Sequence, residues 1–109
     1  MKLDAATMRE SVANVCRRFG VERLYLFGSA AGGNFDSERS DLDFLVSLGE
    51  QAPGEYADNY LGLAEALEKL FDRPVDLVTE RSIRNRYFRE TVFAARQLLY
   101  DRGDEKAVA

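Results

Sequence analysis

Apolar positions recur along this chain in two rhythms, and each change of rhythm marks an element. Met8, Val12, Val15, Cys16 and Phe19 fall at helical spacing. Thr7-Met8-Arg9-Glu10 has the pattern of a capping box and Gly20 supplies a stop, so the spacing predicts a helix from about residue 6 to 19. Val21 to Phe27 (VERLYLF) is short, rich in aromatic and branched residues, and ended by Gly28, which predicts a strand. A second strand is predicted from Asp41 to Ser47. Its uninterrupted Phe44-Leu45-Val46 implies burial on both faces, as in a sheet covered by helices.

Residues 48–55 (LGEQAPGE) read as a polar turn region, after which Tyr60, Leu61, Ala64, Leu67, Leu70 and Phe71 mark a second long helix. Asp72-Arg73-Pro74 ends it. Val75 to Thr79 (VDLVT) is a third strand. From Ser82 or Asn85 the pattern turns helical again, with Tyr87, Phe88, Val92, Ala95, Leu98 and Leu99 on the apolar stripe and Tyr87 and Phe88 as core anchors. The tail from about residue 102 is expected to fray. The order α, β, β, α, β, α implies an α+β fold of two layers, a small mixed sheet packed against helices.

A length of 109 residues suits one domain, 1–109, with a real core and no room for a separate substrate domain. The start MKLDAATMRE carries charges where a signal peptide needs its apolar stretch, and the longest apolar runs are short, so the expected location is the cytoplasm, without a membrane span. Cys16 is the only cysteine, which excludes a disulfide within the chain and suits a small buried apolar role. The chain has no histidine, which excludes Ser-His-Asp and Cys-His catalysis and the usual His-containing zinc sites. Acid, base and metal work must fall to carboxylates. A net charge of −4 argues against autonomous nucleic-acid binding, which rests on neutralising phosphates with Lys and Arg.

Asp41 and Asp43 stand two residues apart in an apolar strand and so share a face. Burying two like charges that close together costs several kcal/mol, on the order of 3–5, unless a cation compensates them. Asp76 interrupts Val75-Leu77-Val78, and if its strand neighbours the second, three carboxylates reach one region and offer oxygen ligands to two hard cations. Their bland alternatives are a solvated strand entrance for the first two and a solvent-facing position on an edge strand for Asp76. Gly28-Ser29-Ala30-Ala31-Gly32-Gly33 is the complement, since small residues let backbone approach a polyphosphate and Ser29 can donate a hydrogen bond. The run lacks the lysine of a P-loop and the spacing of a dinucleotide-binding fingerprint. Arg81, Arg84, Arg86, Arg89 and Arg96, against Glu90 alone in that span, make one segment of an acidic chain locally positive. It reads as a solvated helix face, with nucleotide phosphates or an acidic partner as the alternatives.

Gly28-Ser29, then Asp41-x-Asp43 in an apolar strand and Asp76 in a later one, resembles the minimal nucleotidyltransferases of the DNA polymerase beta superfamily. The ending RNRYFRETVFAARQLLYD is similar to the closing helix of MNT-domain proteins encoded beside HEPN-domain partners. The resemblance implies a polymerase-beta-like fold in which Asp41, Asp43 and Asp76 bind two Mg²⁺ and are catalytic, while Gly28 and Ser29 hold the nucleotide's β and γ phosphates. It also implies transfer of a nucleoside monophosphate, AMP from ATP, to a hydroxyl of a partner HEPN toxin, which this chain silences as an antitoxin. Many such proteins carry an Arg shortly after the Gly-Ser, where this chain has Ala30 to Gly33. The competing expectation is an inactive nucleotidyltransferase fold that neutralises its partner by direct complex formation. A metal nuclease leaves the Gly-Ser turn idle, and a D-x-D glycosyltransferase needs a larger chain. Oligomeric state is open, a homo-oligomer included.

Overall fold

The computed structural model describes residues 5–27 and 42–103, the side chains of residues 5, 6, 88, 91–93 and 95 excepted. In chain order the elements are α1 (Ala5–Arg18), β1 (Arg23–Phe27), β2 (Leu42–Ser47), α2 (Pro53–Phe71), β3 (Val75–Thr79), a short 3-10 turn (Glu80–Ser82), α3 (Arg86–Ala95) and β4 (Gln97–Asp101). The strands form one sheet in the order β3-β2-β1-β4, with β2 and β3 parallel and the other pairs antiparallel. This is the α+β, mixed-sheet architecture expected from the order of elements.

Alternation along the strands sorts their side chains onto two faces. On one, Leu24, Leu26, Leu42, Phe44, Val46 and Leu77 pack with Met8, Val12 and Cys16 of α1 and Leu63, Leu67 and Phe71 of α2. Phe44 stacks on Phe71 with ring centroids 6.0 Å apart, joining the sheet centre to the last turn of α2. On the other face Tyr25, Phe27 and Leu45 lie under Ile83, which arrives from the 3-10 turn. Phe44, Leu45 and Val46 are all fully buried, as their unbroken apolar run implies. Cys16 is buried in the core, as expected.

Helix ends follow backbone chemistry. Gly20 adopts φ +69°, its N–H meets the Arg17 carbonyl and the Val21 N–H meets that of Cys16, a Schellman ending that turns the chain into β1. Pro53 opens α2, and Asp72 closes it in the left-handed region at φ 52°. Thr7 lies inside α1, where its carbonyl accepts from the Ser11 hydroxyl, so it is not the expected N-cap. In α2, Leu61 and Leu70 are exposed; the buried stripe runs instead through Leu63, Leu67 and Phe71. Gly62, between them, lets the Phe19 ring approach closely: a Cβ there would lie 2.5 Å from Phe19 Cε1.

The largest departure from expectation is β4. Leu98 and Leu99 belong to this strand rather than to a helical stripe, and the closing segment is α3 followed by β4. The β1 edge opposite β2 recruits Gln97–Asp101, with an irregularity between the partners of Leu24 and Tyr25. Arg102 donates its N–H to the Glu22 carbonyl just beyond the ladder. Residues 104–109 lie outside the described residues.

Side chains occupy backbone groups of both outer strands. On β3 the Tyr60 hydroxyl donates to the Leu77 carbonyl, Glu68 Oε2 accepts from the Val75 N–H at 3.4 Å, and Ser82 Oγ donates to the Thr79 carbonyl at 2.8 Å. On β4, Arg9 Nε donates to the Leu98 carbonyl at 2.9 Å.

Candidate active site

Parallel pairing of β2 with β3 places Leu42 opposite Val75, Asp43 opposite Asp76 and Phe44 opposite Leu77. The two aspartates are therefore direct neighbours on adjacent strands, about 4.8 Å apart at their backbones and on the same face. On its other side Asp43 pairs with Phe27, the last residue of β1. Both aspartates lie at the end of the sheet where β1 leaves and β2 and β3 enter. Asp43 is half-buried and already has an interaction partner, while Asp76, on an edge strand, is exposed.

The arrangement follows from the local sequence. An apolar strand with one charged position must turn that side chain away from the main core under α1 and α2, onto the face that carries the smaller cluster of Tyr25, Phe27, Leu45 and Ile83. Two carboxylates side by side repel one another, and the pair is relieved by a divalent cation held between oxygen ligands. The donor set of Asp43 and Asp76 fits such a hard cation. Among the described residues no group of three His, Cys, Asp or Glu converges to hold a metal. Asp41, Gly28 and Ser29 lie outside the described residues. In the chain, Gly28 follows Phe27 directly, and Asp41 precedes Asp43 by two positions.

The arginine segment divides. Arg81, Arg84, Arg86 and Arg89 are exposed, as a solvated face predicts, and Arg86 pairs with Glu90 one turn on at 3.3 Å. Arg96 is structural: its guanidinium lies 4.1 Å from the Tyr25 ring centroid and 3.6 Å from Glu80, which also meets Arg23 at 3.9 Å. Tyr87 is 81% exposed and is not the expected core anchor. The Phe88 side chain lies outside the described ones.

The profile of the nucleotidyltransferase domain matches residues 8–99. The chain belongs to the nucleotidyltransferase family. A Methanocaldococcus jannaschii protein provisionally named a protein adenylyltransferase is 37% identical over 75 residues, 69% of this chain and 73% of that protein. A solved structure provisionally described as a minimal nucleotidyltransferase is 36% identical and superimposes with a TM-score of 0.66, covering 87% of this nucleotidyltransferase and 95% of that chain. A toxin-antitoxin structure with AMP-PNP shares the fold at 24% identity and a TM-score of 0.65, covering 91% and 78% of the two chains. So does a tri-AMPylated Shewanella oneidensis HEPN toxin in complex with MNT antitoxin, at 20% identity and a TM-score of 0.55 over 96% and 79%. Among the described residues no helix is long and apolar enough to cross a membrane.

Proposed function

We propose that this nucleotidyltransferase moves AMP from ATP onto a hydroxyl of a separate protein, a HEPN-domain toxin, in the cytoplasm, and thereby acts as its antitoxin. The observation that carries this reading is the in-register pair of Asp43 and Asp76 at the sheet end where Phe27, the residue that precedes Gly28-Ser29 in the sequence, closes β1. The names borne by its relatives support the same chemistry. Asp41 and Asp43, with Asp76, are the residues that would hold two Mg²⁺, and Gly28 and Ser29 would hold the β and γ phosphates of ATP. Bound there, the cations would supply charge neutralisation on the triphosphate oxygens.

The acceptor oxygen attacks the α phosphorus in line, a new O–P bond forms as the bond from that phosphorus to the α–β bridging oxygen breaks, and pyrophosphate leaves. The acceptor's hydroxyl proton passes to a carboxylate oxygen, for which Asp76, exposed at the strand edge, is the accessible member of the pair. Asp43, half-buried between Phe27 and Asp76, is held in place by the sheet on both sides. Fixing these groups on paired strands rather than loops confines the attack geometry.

The test mixes the protein with α-labelled ATP, Mg²⁺ and the HEPN-domain product of a neighbouring gene. Label on that product from wild type, lost in Asp41→Asn/Asp43→Asn, is the expected result. No transfer by wild type, with neutralisation intact in both proteins, would replace the enzyme by a module that acts through complex formation alone.

A further inference from the structure

Asp43 and Asp76 are held unequally. Asp43 lies in the inner strand β2, which β1 and β3 flank, so the sheet fixes it from both sides. Asp76 lies in the outer strand β3, and β2 is the only strand that pairs with it. Two carboxylates that share a cation must each stay within about 0.5 Å of the productive geometry, so the outer one needs a second support.

Helix α2 supplies that support on the side away from β2. The Leu42 N–H donates to the Pro74 carbonyl at 3.2 Å, so residues 74 and 76 turn their backbone groups toward β2 while 75, 77 and 79 turn theirs outward. The Tyr60 hydroxyl donates to the Leu77 carbonyl, and Glu68 Oε2 accepts from the Val75 N–H at 3.4 Å. Val75 and Leu77 are the two residues that bracket Asp76 in the chain. Glu68 also holds the turn that leads into β3, since its carbonyl accepts from the N–H of Asp72 and, at 3.4 Å, from that of Arg73. Leu63, Leu67 and Phe71 sink the same helix into the core, and Tyr60 packs against that core, so both side chains extend from a helix whose place is fixed.

We propose that Tyr60 and Glu68 are positioning residues for nucleotidyl transfer: by gripping β3 on either side of Asp76 they set the place of its carboxylate beside that of Asp43, and through it the affinity for a divalent cation. The inference rests on the proposed function for the presence of that cation. Both residues act through the β3 backbone. Without them the strand keeps its ladder with β2 and its buried Leu77, but residues 75 and 77 lose their outer hydrogen bonds and Asp76 between them gains freedom relative to Asp43. Losing a hydrogen-bond partner of a metal ligand lowers metal affinity by about 10- to 100-fold, and a grip on the neighbouring backbone belongs at the lower end of that range.

Titration with Mn²⁺ alone, followed by electron paramagnetic resonance, tests this on wild type, Tyr60→Phe/Glu68→Ala, Glu68→Gln and Val12→Ala, with Asp43→Asn/Asp76→Asn to locate the ion; Mn²⁺ takes the same oxygen ligands as Mg²⁺. Val12, fully buried in α1, is the control for stability lost away from β3. Expected is a rise in Kd of about tenfold for Tyr60→Phe/Glu68→Ala. Glu68→Gln, which keeps an oxygen to accept from the Val75 N–H, and Val12→Ala should both stay within about twofold of wild type, although thermal midpoints fall in Val12→Ala as in Tyr60→Phe/Glu68→Ala. A Kd of Tyr60→Phe/Glu68→Ala within twofold of wild type overturns the inference, as does an equal rise in Val12→Ala. A rise in Glu68→Gln as large as that of the double variant overturns it in favour of the Glu68 charge. Wild type that binds no Mn²⁺, or binding that is unchanged in Asp43→Asn/Asp76→Asn, overturns it too. AMP transfer by wild type, measured separately, decides the proposed function.

Discussion

At the scale of single residues, Asp76 is where chemistry and stability separate most cleanly. It is exposed on an edge strand and directly opposite Asp43, so replacing it by Asn removes a like charge and leaves the core untouched. Asp76→Asn should therefore alter unfolding free energy by no more than about 0.5 kcal/mol. The same change should lower AMP transfer by about a hundredfold or more, the range for losing a positioned acid-base or metal-ligating group. Parallel thermal unfolding and label-transfer measurements check the pair, and transfer within threefold of wild type would remove Asp76 from the mechanism. That Asp43 and Asp76 come side by side was legible because a lone carboxylate inside an apolar strand is physically awkward, and parallel strands in register set two such positions next to each other. Tyr87 was misread for a related reason: an aromatic residue at helical spacing suggests burial, yet which side of a short helix meets the core is decided by tertiary contacts.

At the scale of elements, the contrast between faces of α2 and the sheet centre sets the expected mutational map. Phe44, fully buried and stacked on Phe71, holds β2 to the last turn of α2; Phe44→Ala should cost about 3–5 kcal/mol. Leu61, 65% exposed on the same helix, should tolerate Ala within about 0.5 kcal/mol, although the sequence pattern placed it on the apolar stripe. Denaturant unfolding of the two variants provides the comparison, and equal losses would mean that α2 is rotated from the orientation described. Strands β1, β2 and β3 were readable because glycine, proline or charged turns bracket them. β4 was not. Between Ala95 and Gln97 stands only Arg96, a residue at home in helices, and the apolar positions continue in helical phase; the strand arises because β1 has a free edge to satisfy, a cause that resides elsewhere in the chain.

At the scale of the whole molecule, a small sheet must hide or occupy its margins. Tyr60, Glu68 and Ser82 take up outward groups of β3, and Arg9 reaches a carbonyl of β4. Tyr60→Phe combined with Glu68→Ala should lower stability by about 1–2 kcal/mol through the lost hydrogen bonds. It should also raise thioflavin-positive assembly at high protein concentration; assembly no faster than wild type would assign the margins no such role. Those few side chains set how concentrated the protein can become: where an outer strand's backbone groups are already taken, a second copy finds fewer places to add a strand.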